Sequence, residues 1–262
     1  MIVDTHCHIH ESYPFSVTEV IERSAAVGVG KMICVGTSEG SSELALRASA
    51  VYEPLYAAIG VHPHDTKDGY SKISAMAKDV MGGESSEYDG AKLVAVGEIG
   101  LDYFYSHSPK DIQIKALREQ MEVALSCDLP IIFHVREAFD DFWPIFEELE
   151  LKYGPIKGVL HSFTDSKDNM EKAVNKGLYI GVNGISTFTK DQAQKDMFDA
   201  IPEANLLFET DSPFLTPVPF RGKVNEPAYV QVVVDFHAKR RGVSSEDLAA
   251  ITTTNAHKLF KI

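Results

Sequence analysis

The stretch "LVAVGEIG", residues 93–100, decides the fold because an apolar run leads directly into a charged residue. The run is short, continuous and rich in valine, which is typical of a strand buried in a parallel sheet. A carboxylate such as Glu98 at the end of a buried strand is costly to ionise unless it is paired. We therefore interpret this stretch as a buried parallel strand that ends in a functional acidic residue.

Further apolar runs resemble this one and alternate with helical patterns. They lie at residues 1–6, 31–36, 55–61, 130–135, 156–163, 178–184 and 205–211. Between them, "SVTE" at 16–19 fits a helix capping box, and "SPKD" at 108–111 places Ser108 at a helix N-cap. An open doubly wound sheet is the alternative, but no glycine-rich phosphate loop follows any run. Strands alternating with helices predict an α/β fold, a (β/α)8 TIM barrel, as a single domain over residues 1–262.

The charge balance of the chain limits how it can bind a polyanion. Acidic residues number 38 and basic residues 25, which gives a formal net charge of −13. A protein that holds nucleic acid by overall charge attraction is expected to be basic. A polyanionic substrate therefore requires a locally positive site here, and bound divalent metal ions are one way to supply it.

The sequence also predicts where the protein resides. Only Met1 and Ile2 precede the first run, and no apolar run approaches the roughly 20 residues of a membrane helix. Cys7, Cys34 and Cys127 have no paired spacing and are expected to be small buried thiols in a reducing compartment. We expect a soluble, cytoplasmic protein without membrane contact, and a monomer.

Polar side chains follow the apolar runs at the same end. They are His6 and His8, His62 and His64, Glu98, His134, His161 and Asp211. The carboxyl ends of barrel strands form one face, so we expect these side chains to converge there. A lone histidine after an apolar run is more often structural, and that interpretation fits His10 and His64 best.

The polar set predicts a metal cluster. Its proposed ligands are His6, His8, Glu98, His134, His161 and Asp211. These are too many for one tetrahedral ion and suit two divalent ions roughly 3.5–4 Å apart, with Glu98 as the bridge. The mixture of imidazole and carboxylate is compatible with Zn, Mn or Mg. In "VDTHCHIH" at 3–10, strand alternation places Cys7 on the face opposite the histidines.

Ordered motifs identify a family that the chain resembles. These motifs are "HCH", "GVHPH", "GEIGLD", "HVR", "HSF", "ETDSP" and "RGKVNEP", in that order from Asp4 to about Phe260. They resemble the TatD family of metal-dependent deoxyribonucleases, which are amidohydrolase-type TIM barrels. The resemblance implies hydrolysis of DNA phosphodiester bonds with divalent cations, commonly as a 3′→5′ exonuclease that prefers single strands.

The resemblance also implies roles for individual residues. The family's metal ligands fall on the six residues already selected, and its phosphate-contacting histidine falls on His62. Arg136, Arg221 and Asn225 lie in motifs that imply phosphate binding, and Arg suits this role because its planar group bonds two oxygens at once. Asp102 is implied to orient a ligand histidine. A phosphate role for Lys190 is left open.

Two positions depart from the family pattern. "HSFTDS" at 161–166 has Asp165 where the family usually places glycine, and "VNG" at 182–184 replaces a more usual small-residue sequence. Neither departure removes a ligand, so we expect both to affect substrate preference rather than catalysis.

The expected mechanism is in-line displacement at phosphorus. A metal ion lowers the pKa of water, and Asp211 is the candidate general base. His62 is a candidate for stabilising the leaving 3′ oxygen. Among the aromatic residues that follow two strands, stacking on a base and ordinary loop packing are both open; these residues are Tyr103, Phe104, Tyr105 and Phe163.

Two rival functions are retained. The first is an amidohydrolase-type enzyme acting on a small amide, lactone or phosphoester, which often uses a carboxylated lysine between its ions. Glu98 ends the fourth run and no run ends in lysine, which favours the nuclease. The second is a non-catalytic binding protein of the same fold, and the complete ligand set argues against it.

Overall fold

The chain alternates strands with helices throughout its described length. The computed structural model describes residues 1–10, 13–82, 87–105 and 107–262. The strands are β1 (Ile2–Cys7), β2 (Val29–Val35), β3 (Leu55–Ile59), β4 (Leu93–Asp102), β5 (Ile131–Arg136), β6 (Gly158–Leu160), β7 (Tyr179–Val182) and β8 (Leu206–Phe208). Each predicted run overlaps one of these strands.

Helices connect successive strands. They are α1 (Val17–Ala26), α2 (Glu39–Val51), α3 (Lys72–Gly82), α4 (Lys110–Ser126), α5 (Phe139–Tyr153), α6 (Lys167–Asn175), α7 (Ile185–Phe188), α8 (Gln192–Ala200), α9 (Val230–Arg241) and α10 (Ser245–Phe260). Short 3-10 helices lie at Pro63–Asp68, Glu203–Asn205 and Pro227–Tyr229. In the described residues no helix is both long and apolar enough to cross a membrane.

The strands form one eight-stranded sheet in the order β1 to β8. The pairing of β4 with β5 is parallel and places Gly100 opposite His134. The two backbones approach so closely there that a Cβ on Gly100 would overlap the carbonyl oxygen of His134. Consecutive parallel strands with helical connections make the fold a (β/α)8 barrel, as the sequence predicts.

The chain divides into two compact units. The first unit comprises Met1–Ile33 and His161–Ile262, and the second comprises Cys34–Leu160. In the second unit, Phe133 of β5 packs edge-on against Phe142 of α5, with ring centroids 5.2 Å apart. In the first unit, Phe208 of β8 is buried and lies against the ring of His237 on α9, with centroids 5.5 Å apart.

The helix boundaries test the predicted caps. At α1, Ser16 and Glu19 form both hydrogen bonds of the capping box, which confirms that prediction. At α4 the N-cap is Pro109 and the prediction of Ser108 is wrong. The Ser108 hydroxyl donates to the carbonyl of His64 at 2.8 Å and accepts from the backbone of Lys67 at 3.1 Å. The local sequence pattern predicts that the Ser108 hydroxyl caps α4. Instead, the hydroxyl bonds the backbone of residues that are far away in sequence.

The cysteines are free thiols in different environments. Cys7 is buried, and its thiol donates to the carbonyl of Ile33 at 3.3 Å. Cys34 is buried as well, but Cys127 is half-buried, so the expectation that all three are buried holds for two of them.

A buried histidine joins two helices of the first unit. His237 on α9 is 1% exposed, and its Nε2 lies 2.8 Å from the hydroxyl of Ser186 on α7. Its Nδ1 has no hydrogen-bond partner within the described ranges of the chain. Burial lowers the pKa of His237 from 6.5 to about 3, and the charge of Arg241 adds to this effect. The folded protein therefore holds this imidazole neutral.

Acidification should destabilise the protein through His237. The folded-state pKa lies below the unfolded one, so stability is fully present above pH 6.5 and is lost as the pH falls toward about 3. The loss has a limiting slope of about 1.4 kcal/mol per pH unit from this group. Urea unfolding across that pH range should show a flatter pH dependence for His237→Gln than for the wild type. Identical slopes would show that His237 does not carry this effect.

Candidate metal centre

One cluster of possible ligands lies in the first unit, where β1 and the segment after β8 run side by side. The backbone N–H of Asp211 donates to the carbonyl of His6 at 2.8 Å, and that of His8 donates to the carbonyl of Ser212 at 2.7 Å. The ligand atoms of His6, His161 and Asp211 all lie within 4.8 Å of one another. We call His6, His8, His161 and Asp211 the first group.

The imidazoles of the first group face one another at short range. Nε2 of His6 lies 3.1 Å from Nε2 of His8, and Oδ1 of Asp211 lies 3.2 Å from the latter nitrogen. The rings of His6 and His161 stack with centroids 3.8 Å apart. Two ring nitrogens at this separation cannot both direct a proton at each other, so at least one presents a lone pair. Convergent imidazole lone pairs beside a carboxylate are a donor set that divalent cations accept.

Asp211 has an unusual backbone and a charged side chain. Its φ of 56° lies in the left-handed region, which aspartate adopts more readily than most residues. Burial acts to raise the pKa of Asp211, but the hydrogen bond with His8 and the charges of His161 and His6 hold it below its usual value. Asp211 is therefore a carboxylate at neutral pH.

A buried aspartate supports the backbone between these ligands. Oδ1 of Asp4 accepts from the backbone N–H of Thr210 at 2.9 Å, and its Oδ2 accepts from the Thr210 hydroxyl at 2.6 Å. Oδ1 also accepts from the backbone N–H of His6 at 3.3 Å. Asp4 thereby fixes the residue before Asp211 and the backbone of His6, a role that the sequence analysis did not assign.

Glu209 is the buried partner of a proposed ligand histidine. Its Oε1 lies 3.2 Å from Nδ1 of His161 and accepts from the backbone N–H of Ser162 at 2.6 Å. Asn183 donates to the hydroxyl of Ser162 at 2.8 Å and lies 3.5 Å from the same Glu209 oxygen. A Cβ on Gly181 would overlap the carboxylate, so any larger residue there would displace the Glu209 side chain. The pairing fixes the orientation of the His161 ring, with Nε2 as its other nitrogen.

A second cluster of possible ligands lies at the ends of β3, β4 and β5 in the second unit. Nδ1 of His134 is 2.8 Å from Oε1 of Glu98, and Nε2 of His62 is 3.5 Å from the same oxygen. Glu98 is 3% exposed. We call His62, Glu98 and His134 the second group, and their ligand atoms lie within 4.8 Å of one another.

The protonation of His62 follows from its contacts. Its Nδ1 accepts from the backbone N–H of His64 at 3.2 Å. Burial, followed by the charge of His134, holds the pKa of His62 well below its usual value, so the ring is neutral. A neutral ring whose Nδ1 accepts carries its proton on Nε2. His62 therefore presents an N–H donor at Nε2, which lies 3.5 Å from Oε1 of Glu98.

Asp102 orients the histidine of the second group. Its Oδ2 lies 3.0 Å from Nε2 of both His134 and His64, and its Oδ1 accepts from the backbone N–H groups of Phe104 and Tyr105 at 3.0 Å. Burial acts to raise the pKa of Asp102, but the hydrogen bonds from His134 and Tyr105 hold it well below its usual value. The ionised Asp102 turns Nδ1 of His134 toward Glu98. The expected role of Asp102 in orienting a metal-binding histidine stays a prediction.

The arginines expected to bind phosphate are exposed. Arg136 ends β5, and its guanidinium lies 3.9 Å from the ring centroid of Phe104. Arg221 lies 3.9 Å over the ring of Phe188 and donates to the carbonyl of Thr216 at 2.9 Å. Both guanidinium groups therefore present surface to solvent.

Asn225 has a different use from the phosphate contact expected of it. It is completely buried, and its Nδ2 donates to the carbonyls of Thr210 at 2.8 Å and Phe214 at 2.5 Å. Its Oδ1 accepts from the backbone of Glu226 at 3.0 Å. Asn225 holds the segment that carries Asp211, since its side-chain groups are committed to the backbone.

The remaining sequence candidates have separate positions. Oδ1 of Asp165 accepts from the backbone of Ser166 and the amide of Asn169, each at 2.7 Å, so it supports the start of α6. Lys190 is exposed after α7. His10 is half-buried, with its ring centroid 6.2 Å from that of His8.

Comparisons with known proteins identify a family for the chain. A family model described as "TatD related DNase" matches residues 3–261. The uncharacterized metal-dependent hydrolase YabD of Bacillus subtilis is 39% identical over 263 residues, covering 100% of both chains. The deoxyribonuclease Tat-D of Schizosaccharomyces pombe is 34% identical over 291 residues, covering 97% of this chain and 90% of that protein.

A solved structure shows the same fold. The crystal structure of YjjV, a TatD homolog from Escherichia coli K12, superposes with a TM-score of 0.88 at 32% identity, covering 100% of this chain and 98% of that one. The family match over nearly all of the sequence confirms the resemblance drawn from the ordered motifs. The chain belongs to the TatD family of metal-dependent hydrolases.

Proposed function

We propose that the protein is a deoxyribonuclease that hydrolyses phosphodiester bonds of single-stranded DNA, stepwise from the 3′ end. The observation that carries the proposal is the pair of histidine–carboxylate groups, one in each unit, on a chain of the TatD-related DNase family. A relative 34% identical to this chain is named a deoxyribonuclease. Glu98 at β4, where a lysine-bridged amidohydrolase needs lysine, supports the nuclease over the rival.

The proposed ions are two divalent cations, Mg, Mn or Zn. The proposed ligands are His6, His8, His161 and Asp211 of the first group, with Glu98 and His134 of the second. When bound, such ions lower the pKa of water and neutralise charge on phosphoryl oxygens. Bridging of the two ions by Glu98 stays a prediction.

The chain's own residues divide the remaining work. Asp211 accepts the proton of the attacking water, because its lowered pKa keeps it ionised at neutral pH. His62 donates its Nε2–H to a phosphoryl oxygen or to the leaving 3′ oxygen, because its Nδ1 is already an acceptor. Arg136 and Arg221 are proposed phosphate contacts. A cytoplasmic location and a monomeric state stay predictions.

Cleavage of end-labelled single-stranded DNA tests the proposal. With Mg²⁺ or Mn²⁺ we expect stepwise shortening from the 3′ end, and chelation of the metal should abolish it while circular dichroism shows the fold retained. Glu98→Ala should retain less than about 1% of the activity, since it removes a buried anionic ligand. Cys7→Ser is the control, because Cys7 bonds the carbonyl of Ile33 and should affect stability only. Intact DNA, together with metal-dependent turnover of a small ester or amide, would move the function to the rival.

Metal affinity tests the Glu209–His161 pairing. Glu209→Gln should weaken metal binding about 10- to 100-fold, because a neutral amide supports the ligand imidazole less well than a carboxylate. Isothermal titration with Mn²⁺ measures the change. Glu226→Gln is the matched control, since it removes another buried carboxylate of the first unit, one that pairs with Arg23. An equal loss of affinity in the two variants would assign the effect to general destabilisation.

A further inference from the structure

Two adjacent aromatic rings lie in solvent directly after β4. Phe104 is 49% exposed and Tyr105 is 43% exposed. Tyr103 is half-buried, with its hydroxyl 2.7 Å from Oδ2 of Asp141, and Phe163 is buried. Isolated exposed apolar residues are ordinary, but adjacent exposed rings beside a candidate active site mark a binding surface. Loop packing explains Tyr103 and Phe163; the ring of Tyr105 stacks on that of His107 with centroids 5.5 Å apart, yet Tyr105 and Phe104 keep a large exposed fraction.

A cation completes this exposed surface. The guanidinium carbon of Arg136 lies 3.9 Å from the ring centroid of Phe104 and 5.0 Å from that of Tyr105. Arg136 is itself exposed, although the chain carries a net charge of −13. A guanidinium both stacks on planar rings and hydrogen-bonds phosphate oxygens. We call Phe104, Tyr105 and Arg136 the aromatic platform.

Asp102 ties the aromatic platform to the second group. Its Oδ1 accepts from the backbone N–H groups of Phe104 and Tyr105, and its Oδ2 faces Nε2 of His134. Arg136 follows His134 by two residues on β5, so the two side chains leave the strand on one face. The same carboxylate therefore fixes both the platform backbone and a proposed ligand, which sets the distance between them.

We propose that the aromatic platform stacks an unpaired nucleobase of single-stranded DNA while Arg136 contacts the neighbouring phosphate; this rests on the proposed deoxyribonuclease function. The rings of Phe104 and Tyr105 meet edge to face, with centroids 4.6 Å apart, and an exposed ring face beside a positive charge complements a base joined to a phosphate. Every base has a face that stacks on an aromatic ring, so the contact tolerates any sequence. Bases inside a duplex have their faces covered, so the platform selects single strands.

Steady-state cleavage of two oligonucleotides tests the platform. One is ordinary single-stranded DNA, and the other is the same backbone with abasic residues in place of nucleotides. Phe104→Ala should raise KM for the ordinary strand about 5- to 100-fold and leave kcat within about twofold. Phe104→Ala should leave KM for the abasic strand unchanged. Phe104→Trp should keep the wild-type KM for the ordinary strand.

The control is an exposed tyrosine of the same unit. Tyr153 at the end of α5 is 44% exposed and has Lys152 4.7 Å over its ring, but it lies outside the platform. Tyr153→Ala should leave both KM values unchanged. Equal losses of Phe104→Ala on the two strands, or no loss on either, would overturn base stacking at the platform.

Failure of the proposed function is distinguishable from failure of the platform. If the wild type cleaves neither strand with Mg²⁺ or Mn²⁺, the deoxyribonuclease proposal fails. Fluorescence anisotropy of the same two labelled strands then tests the platform alone. Tighter binding of the ordinary strand that is lost in Phe104→Ala supports the platform, and equal Kd values for the two strands overturn it.

Discussion

The structure depends on how it accommodates carboxylates at the ends of buried strands. Glu98, Asp102 and Glu209 are each at most 3% exposed. A buried charge is tolerated only when it is paired and hydrogen-bonded, because removing it from water costs several kcal/mol even after relaxation. Each of the three carboxylates lies within 3.2 Å of an imidazole nitrogen, and Asp102 and Glu209 also accept from backbone N–H groups. Carboxylates and imidazoles placed side by side are also a donor set that divalent cations accept.

Hydrogen bonds to buried acidic side chains support several of the proposed ligands. Asp102 orients His134, Glu209 orients His161, and Asp4 bonds the backbone N–H groups of both His6 and Thr210. In each case a buried acidic side chain acts through a hydrogen bond on a proposed ligand or on the residue next to one. Such partners remove rotational freedom from the ligand before the metal arrives, so less ordering is left to accompany binding. The arrangement explains why polar residues are concentrated behind the ligands rather than dispersed through the core.

Much of the architecture could be predicted from the sequence, because apolar runs and parallel strands share a physical cause. A run such as 93–100 must be buried on both faces, and burial of consecutive runs leaves few arrangements other than a barrel. The hydrogen-bond partners of the side chains were harder to predict from the sequence. The sequence did not identify Glu209 as the partner of His161 and suggested a phosphate contact for Asn225, because spacing along the chain does not reveal hydrogen bonds to residues far away in sequence. The prediction for Ser108 was wrong for the same reason, since its partner His64 lies in the 3-10 helix Pro63–Asp68, far away in sequence.

The negative net charge of the chain affects how the proposed substrate reaches the metal ligands. With a net charge of −13, the chain as a whole repels a polyanion, so the proposed substrate depends on local contacts, and short-range ones are little screened by salt. Stacking on Phe104 and Tyr105 is such a contact, and it requires a base free of its complement. Asp102 hydrogen-bonds both the platform backbone and His134. A DNA strand stacked on the platform therefore lies at a fixed position relative to a proposed metal ligand. In the proposed binding mode, the Asp102 carboxylate rather than a charged groove determines which strand is selected and where its phosphate lies.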